Sequence, residues 1–158
     1  MPIIEKYSAQ RAQQVSGLSV KPEQAIFAID NVSGLIAKLA AHEHPHLVIV
    51  EDQVVGFFIL DLAYSASYDF CPPDSLGIRS LLIDQHSQGK GIAKKVLLQL
   101  PNYIEKVYPS FRALYLTVNC RNKAAYQCYA QCGFQDTGDL YRGGPAGPQH
   151  IMSYKMLV

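Results

Sequence analysis

The sequence predicts a single α/β domain over residues 1–158, built as a mixed, mostly antiparallel twisted sheet with helices on both faces. Three observations carry this. A chain of 158 residues with 49% hydrophobic and 17% charged residues has the size and composition of one globular domain. Its apolar period changes from helical to strand-like near residue 46 and returns to helical after residue 88. Helices come first, then an antiparallel meander, then alternating strands and helices, an order that stacks helices on a mixed sheet.

Helical spacing marks a first helix near Ala9–Val15 and a second from about Asn31 to Ala41, where Ser33 offers a cap and Ile36 and Leu39 share a face. "HLVIVEDQVVGFFILDL" reads as two strands, about Leu47–Glu51 and Val54–Leu62, joined by the polar turn Glu51-Asp52-Gln53. A loop with Pro72-Pro73 leads to a nearly continuous apolar strand, Leu76–Ile83. A glycine-containing turn then opens a helix from about Gly89 to Val107, with Ile92, Val96, Leu100, Ile104 and Val107 on one buried face. Pro101 removes an amide donor inside it and predicts a kink or short break. Arg112–Val118 is the next strand and Asn122–Cys132 the next helix, with Gly133 as its left-handed cap. Two closing strands, about Phe134–Tyr141 and Ile151–Met156, flank the turn-rich "RGGPAGPQH". No repeat, low-complexity tract or linker divides the chain.

Composition excludes several classes of function. The net charge is +1 with no Lys/Arg block, which argues against a protein that neutralises nucleic-acid phosphates. No uncharged apolar stretch approaches the roughly 20 residues of a membrane span, and "MPIIEKYSAQRAQQ" lacks the pattern of a signal peptide. Cys71, Cys120, Cys128 and Cys132 then read as reduced thiols. The expectation is a cytoplasmic protein without membrane or nucleic-acid partners.

His42-Glu43-His44-Pro45-His46 formally satisfies HExxH. That zinc motif needs a helix to bring both histidines to one face. Pro45 opposes the helix, strand residues begin at Leu47, and no third ligand follows at a recognisable offset. The pentapeptide is expected to be a loop between helix and strand. Cys128 and Cys132 are four apart but have no partner pair. No metal is expected.

"LLIDQHSQGKGIAKK" carries more chemistry. A strand runs through glycines into an amphipathic helix, so backbone amides and the positive helix end can meet an anion such as a pyrophosphate. The phosphate-binding pattern GxxxxGK[ST] is absent, and Lys94 stands where GxGxxG needs its third glycine. Some thirty residues on, "VNCRNKAAYQCYAQCGF" fits V-N-x-x-N-x-x-A-x-x-x-Y-x-x-x-G-F at Val118, Asn119, Asn122, Ala125, Tyr129, Gly133 and Phe134. With Gln88-x-x-Gly91-x-Ala93 upstream, this pair resembles the GNAT superfamily of acetyl-CoA-dependent N-acetyltransferases, well from Leu47 onward and only in layout before it.

The resemblance implies a GNAT-like fold and an acyltransferase that uses acetyl-CoA as co-substrate. Amides of Gly89, Lys90, Gly91, Ile92, Ala93 and Lys94 would hold the CoA pyrophosphate, with the Gln88 and Lys90 side chains nearby. The backbone of Leu81, Leu82 and Ile83 would pair with the pantetheine arm, and the Leu82 amide would polarise the thioester carbonyl. Asn122 would bond the pantetheine or its supporting loop, and Tyr129 would protonate the leaving thiolate. Some members carry a glutamate base four residues before the backbone triplet; here that position is Gly77. A water chain, or Asp61, Asp69, Asp74 or Glu43, would have to take the proton. The implied partner is a small-molecule primary amine. A polyamine-like acceptor is one branch, which those four carboxylates would serve, and a homodimer stays open. The alternative is an acyl-CoA-binding regulatory module without turnover.

Overall fold

The computed structural model describes residues 1–25 and 31–156; the rest of the expected 1–158 domain lies outside them. Seven strands form one sheet in the order β1-β2-β3-β4-β5-β7-β6. They are β1 (Ile3–Lys6), β2 (Glu43–Val50), β3 (Gln53–Asp61), β4 (Ser75–Ile83), β5 (Ala113–Asn119), β6 (Gln135–Tyr141) and β7 (Gln149–Lys155). Every neighbouring pair is antiparallel except β4 and β5. The helices are α1 (Ala12–Ser16), α2 (Val32–Ile36), α3 (Tyr64–Ser67), α4 (Ile92–Val107) and α5 (Lys123–Gln131).

The period-2 alternation of the strands divides the core in two. On one face Val15, Leu18 and Val32, from α1 and α2 and their flanks, pack against Leu47, Ile49, Phe57 and Ile59. On the other, the apolar stripe of α4 (Ile92, Val96, Leu97, Leu100, Ile104) lies against Val48, Phe58, Leu60, Leu114 and Leu116, with Cys128, Tyr129 and Cys132 of the α5 segment at its edge. Helices therefore cover both faces, as the sequence predicts.

Several boundaries differ from the sequence reading. β1 and α3 fall in segments read as structureless; each has only four residues, too few to show a period. Asn31, not Ser33, caps α2, accepting from the Gly34 amide at 3.0 Å, and α2 ends well before Ala41. α4 runs through Pro101 without a break. The hairpin between β2 and β3 needs only Glu51 and Asp52, both at positive φ (51° and 63°). This conformation suits the twist of a two-residue hairpin. Arg11 steadies it by donating to both the Asp52 carbonyl and its carboxylate, each at 2.9 Å.

The HEHPH segment is not a loop. β2 begins at Glu43 and contains Pro45, whose nitrogen faces Tyr7 just beyond the end of β1, so the β2–β3 ladder loses no bond. The two outer histidines are taken up by separate partners. His42 pairs with Asp61 at 2.9 Å. His46 is fully buried, stacked on Phe58 and bonded to the Tyr103 hydroxyl at 2.8 Å. Burial pushes its imidazole down to about 4, so it is neutral and structural. Among the described residues no group of three or more His, Cys, Asp or Glu side chains could hold a metal.

Candidate active site

The site forms where the parallel pair separates. β4 and β5 are joined only at Ser75–Ala113, Leu76–Leu114 and Gly77–Tyr115. Beyond that point both strands continue, but β5 pairs only with β7. A bulge drives them apart. The β3–β4 register slips between Phe57–Leu82 and Ile59–Arg79, which leaves one extra residue on β4, and Ser80 there has φ 56°. The bulge also inverts the side-chain parity: Leu76 and Ile78 share a core face with Ile83, an odd number of residues away.

The open edge of β4 can be read from its hydrogen bonds. The Asp84 amide donates to the Val55 carbonyl at 2.8 Å. Two residues back, the Leu82 carbonyl points toward Gly56 of β3. Amide and carbonyl of one strand residue face the same way, and residues alternate. Leu82 therefore spends its backbone polar groups on β3, whereas Leu81 and Ile83 present theirs to the gap. The Leu82 amide, expected as oxyanion donor, thus faces β3, and the amide on the gap side is that of Leu81, directly after the bulge. Ile83 offers its carbonyl on the same edge, and the Gln88 side chain donates to it at 2.9 Å. Gln88 is in turn paired amide to amide with Gln24.

At the mouth, Gly89 (φ 79°) and Gly91 (φ 74°) take conformations that favour glycine, and a Cβ at either would meet open space. Gly91 is the N-cap of α4 and no side chain caps it. The first intrahelical bond is from the Lys95 amide to the Gly91 carbonyl. The amides of Ile92, Ala93 and Lys94 thus lack acceptors within the helix and, with the dipole of 16 residues behind them, suit an anion.

Behind this turn, a cleft of about 430 Å³ runs between β4 and α5, lined by Leu81, Leu82, Ile83, Gln88, Ala93, Asn122, Cys128 and Tyr129 among others. A second cleft of about 390 Å³ opens on the other side, lined by Tyr64, Tyr68, Arg79, Ser80, Thr117, Asn119 and Gln149 among others. Leu81, Asn122, Ala125 and Tyr129 line both, so the clefts meet there. The first is largely apolar and reaches the turn at Gln88 and Ala93, a lining that suits an extended chain with an anionic head. The second is polar and aromatic.

Asn122 is the N-cap of α5, its side-chain oxygen accepting from the Ala125 amide at 3.3 Å. Its role is first to hold the helix start at the junction. Tyr129 lies on the same helix, with Phe134 edge-on at 5.7 Å between ring centroids. Burial raises its hydroxyl above the ordinary tyrosine range, so it carries its proton at neutral pH.

The four carboxylates expected on the acceptor side do not line the cleft. Asp61 is buried against His42 and Arg79, and Glu43 also pairs with Arg79. Asp69 and Asp74 are exposed on the loop before β4. At Gly77, an added Cβ would strike the ring of Tyr64. Tyr64, Tyr68 and Arg79 were not found from the sequence. Arg79 did leave a signal there, as the one charge inside an otherwise apolar strand.

Known proteins resemble this chain in sequence and in fold. The profile of the Acetyltransferase (GNAT) family matches residues 10–134. An uncharacterized N-acetyltransferase of Bacillus subtilis strain 168, YbbJ, is 36% identical over 113 residues, which is 70% of this chain and 69% of that protein. A probable spermine N(1)-acetyltransferase of Bacillus subtilis subsp. natto is 40% identical over 58 residues, 37% of this chain and 38% of its own. Among solved structures, an aminoglycoside acetyltransferase in complex with coenzyme A superposes with a TM-score of 0.78 at 16% identity, covering 98% of this chain and 95% of that one. Spermidine N-acetyltransferase from Vibrio cholerae, in complex with CoA and spermine, gives 0.74 at 16% identity, with 98% and 95% covered.

Proposed function

The chain belongs to the GNAT family of acetyltransferases, and on that premise we propose that it moves the acetyl group of acetyl-CoA directly to a primary amine of a small molecule. The observation that carries this is the meeting of the two clefts at Leu81, Asn122, Ala125 and Tyr129. One cleft fits the donor, the other admits an acceptor, and a protonated tyrosine stands between them.

Acetyl-CoA, when bound, supplies an acetyl thioester. The turn amides from Gly89 to Lys94 hold its pyrophosphate, with Lys90 and Gln88 beside it, and the free edges of Leu81 and Ile83 take the arm as an added strand. The Leu81 amide faces the carbonyl oxygen and stabilises the negative charge that grows on it. Asn122 keeps the α5 N-terminus in place beside the arm. Tyr129 gives its proton to the departing sulfur.

The likeness to a probable spermine acetyltransferase and the shared fold with a spermidine acetyltransferase support a polyamine-like acceptor. Against it, the charged side chain among the cleft's described lining is the Arg79 guanidinium, and the carboxylates of Glu43 and Asp61 are already engaged with it. A second reading, an acyl-CoA-binding module without turnover, draws on Gly77, where no carboxylate can stand.

Tyr129→Phe tests the assignment. Loss of one positioned proton donor costs about 10²–10⁴-fold in rate, so kcat should fall by that order while calorimetry shows acetyl-CoA affinity nearly unchanged. A variant that keeps most of its turnover would remove Tyr129 from the chemistry.

A further inference from the structure

We infer that the acceptor is a peptide-type α-amine with a carboxylate a few bonds away, and that Arg79 binds that carboxylate. This rests on the transferase reading and narrows its substrate class. Two independent observations point the same way.

The first is the guanidinium. Arg79 lines the acceptor cleft, and its side chain is 36% exposed. Glu43 and Asp61 both engage its Nη1. Nε and Nη2 have no protein hydrogen-bond partner among the described residues. The two carboxylates thus fix the side chain by one corner and leave the Nε–Nη2 edge of a cleft-lining residue without a protein acceptor. A guanidinium edge matches a carboxylate bidentately, a geometry that lysine cannot reproduce. Arg79 also stands two residues before Leu81, across the bulge at Ser80. A carboxylate held there leaves room for only a few bonds before the amine reaches the thioester.

The second is the occupied base position. The Tyr64 ring fills the space over Gly77, and its hydroxyl is turned to Thr117. An alkyl amine, with a pKa near about 10.4, is only roughly one part in a thousand neutral at about pH 7.5; a peptide α-amine, at about 7.7–8.0, is roughly one-third neutral. The peptide amine needs no strong base. Its nitrogen bonds to the acetyl carbon as the C–S bond breaks, the sulfur leaves as CoA thiol with the proton of Tyr129, and the amine proton goes to water.

The test compares acceptors on the wild-type protein first. Alanylalanine should be acetylated with kcat/KM at least about tenfold above alanylalaninamide, the scale of one charge-assisted bond. Alanylglutamate amidated at its backbone carboxyl separates a terminal carboxylate from one on a side chain. Arg79→Gln should lose roughly 10–100-fold on the acid and little on the amide. Because Arg79→Gln leaves Glu43 and Asp61 facing one another, Arg79→Lys serves as the folded control. It keeps the charge and should still favour the acid less than wild type does. Equal rates for acid and amide, equal losses on both, or spermidine outrunning every carboxylate-bearing amine would overturn the inference and leave the transferase standing. If acetyl-CoA binds but no amine is acetylated, the transferase reading falls and this inference with it.

Discussion

At Gly77 an added Cβ would fall against Cγ and Cδ1 of Tyr64, so the ring occupies the space that a larger residue on β4 would need. Tyr64 is 2% exposed and stacks within 4.5 Å of Tyr68, ring centre to ring centre. It has little freedom to retreat. Gly77→Ala should therefore destabilise the protein by about 1–3 kcal/mol, the usual cost of overpacking, and raise the acceptor KM by moving a residue of the cleft wall. Urea unfolding at a single pH reads the first effect; an unchanged midpoint would mean that the ring is not seated there. Tyr129 and Asn122 stood out in the sequence because both fall on the V-N-x-x-N-x-x-A-x-x-x-Y-x-x-x-G-F pattern that carries the family resemblance. Tyr64 and Arg79 were not. Their partnership with Gly77, Glu43 and Asp61 depends on cross-strand register, which no local pattern records.

Among the elements, the turn before α4 is the most readable and the most exposed to test. "QGKGIAKK" shows the glycines and the unpaired amides of a helix start, and the structure adds positive φ and open space at Gly89 and Gly91. Asp is a good N-cap and tolerates the left-handed region better than most residues. Gly91→Asp should therefore fold normally while placing a carboxylate where a diphosphate would sit. Calorimetry should show acetyl-CoA affinity lowered by more than about tenfold, since two like charges near 4 Å repel by several kcal/mol at a protein surface. Unchanged affinity in the folded variant would detach the turn from the cofactor. The bulge at Ser80 could not be foreseen: "SLGIRSLLI" reads as one uninterrupted strand, and only the register slip against β3 reveals the extra residue. That slip turns the Leu82 amide to β3 and leaves the Leu81 amide facing the gap.

For the molecule as a whole, the predicted α/β sheet with helices on both faces holds, because its long amphipathic segments and apolar strands allow few other packings. What the pattern could not supply is where the sheet opens. The parting of β4 from β5 after Gly77 and Tyr115 creates one groove with two clefts, and they meet at Leu81 and Tyr129. The short pieces β1 and α3, invisible as periods, complete an edge and a cleft wall. Among the described residues no helix is long and apolar enough to cross a membrane. The central claim is that this groove transfers acetyl and does not merely bind its donor. Mass spectrometry of reactions containing the protein, acetyl-CoA and a panel of dipeptides, amino acids, polyamines and aminoglycosides tests it most directly. The account predicts an N-acetylated amine formed in step with free CoA, first among the carboxylate-bearing α-amines. Calorimetrically tight acetyl-CoA binding with no amine-dependent product from any member of the panel would contradict it and leave a binding module.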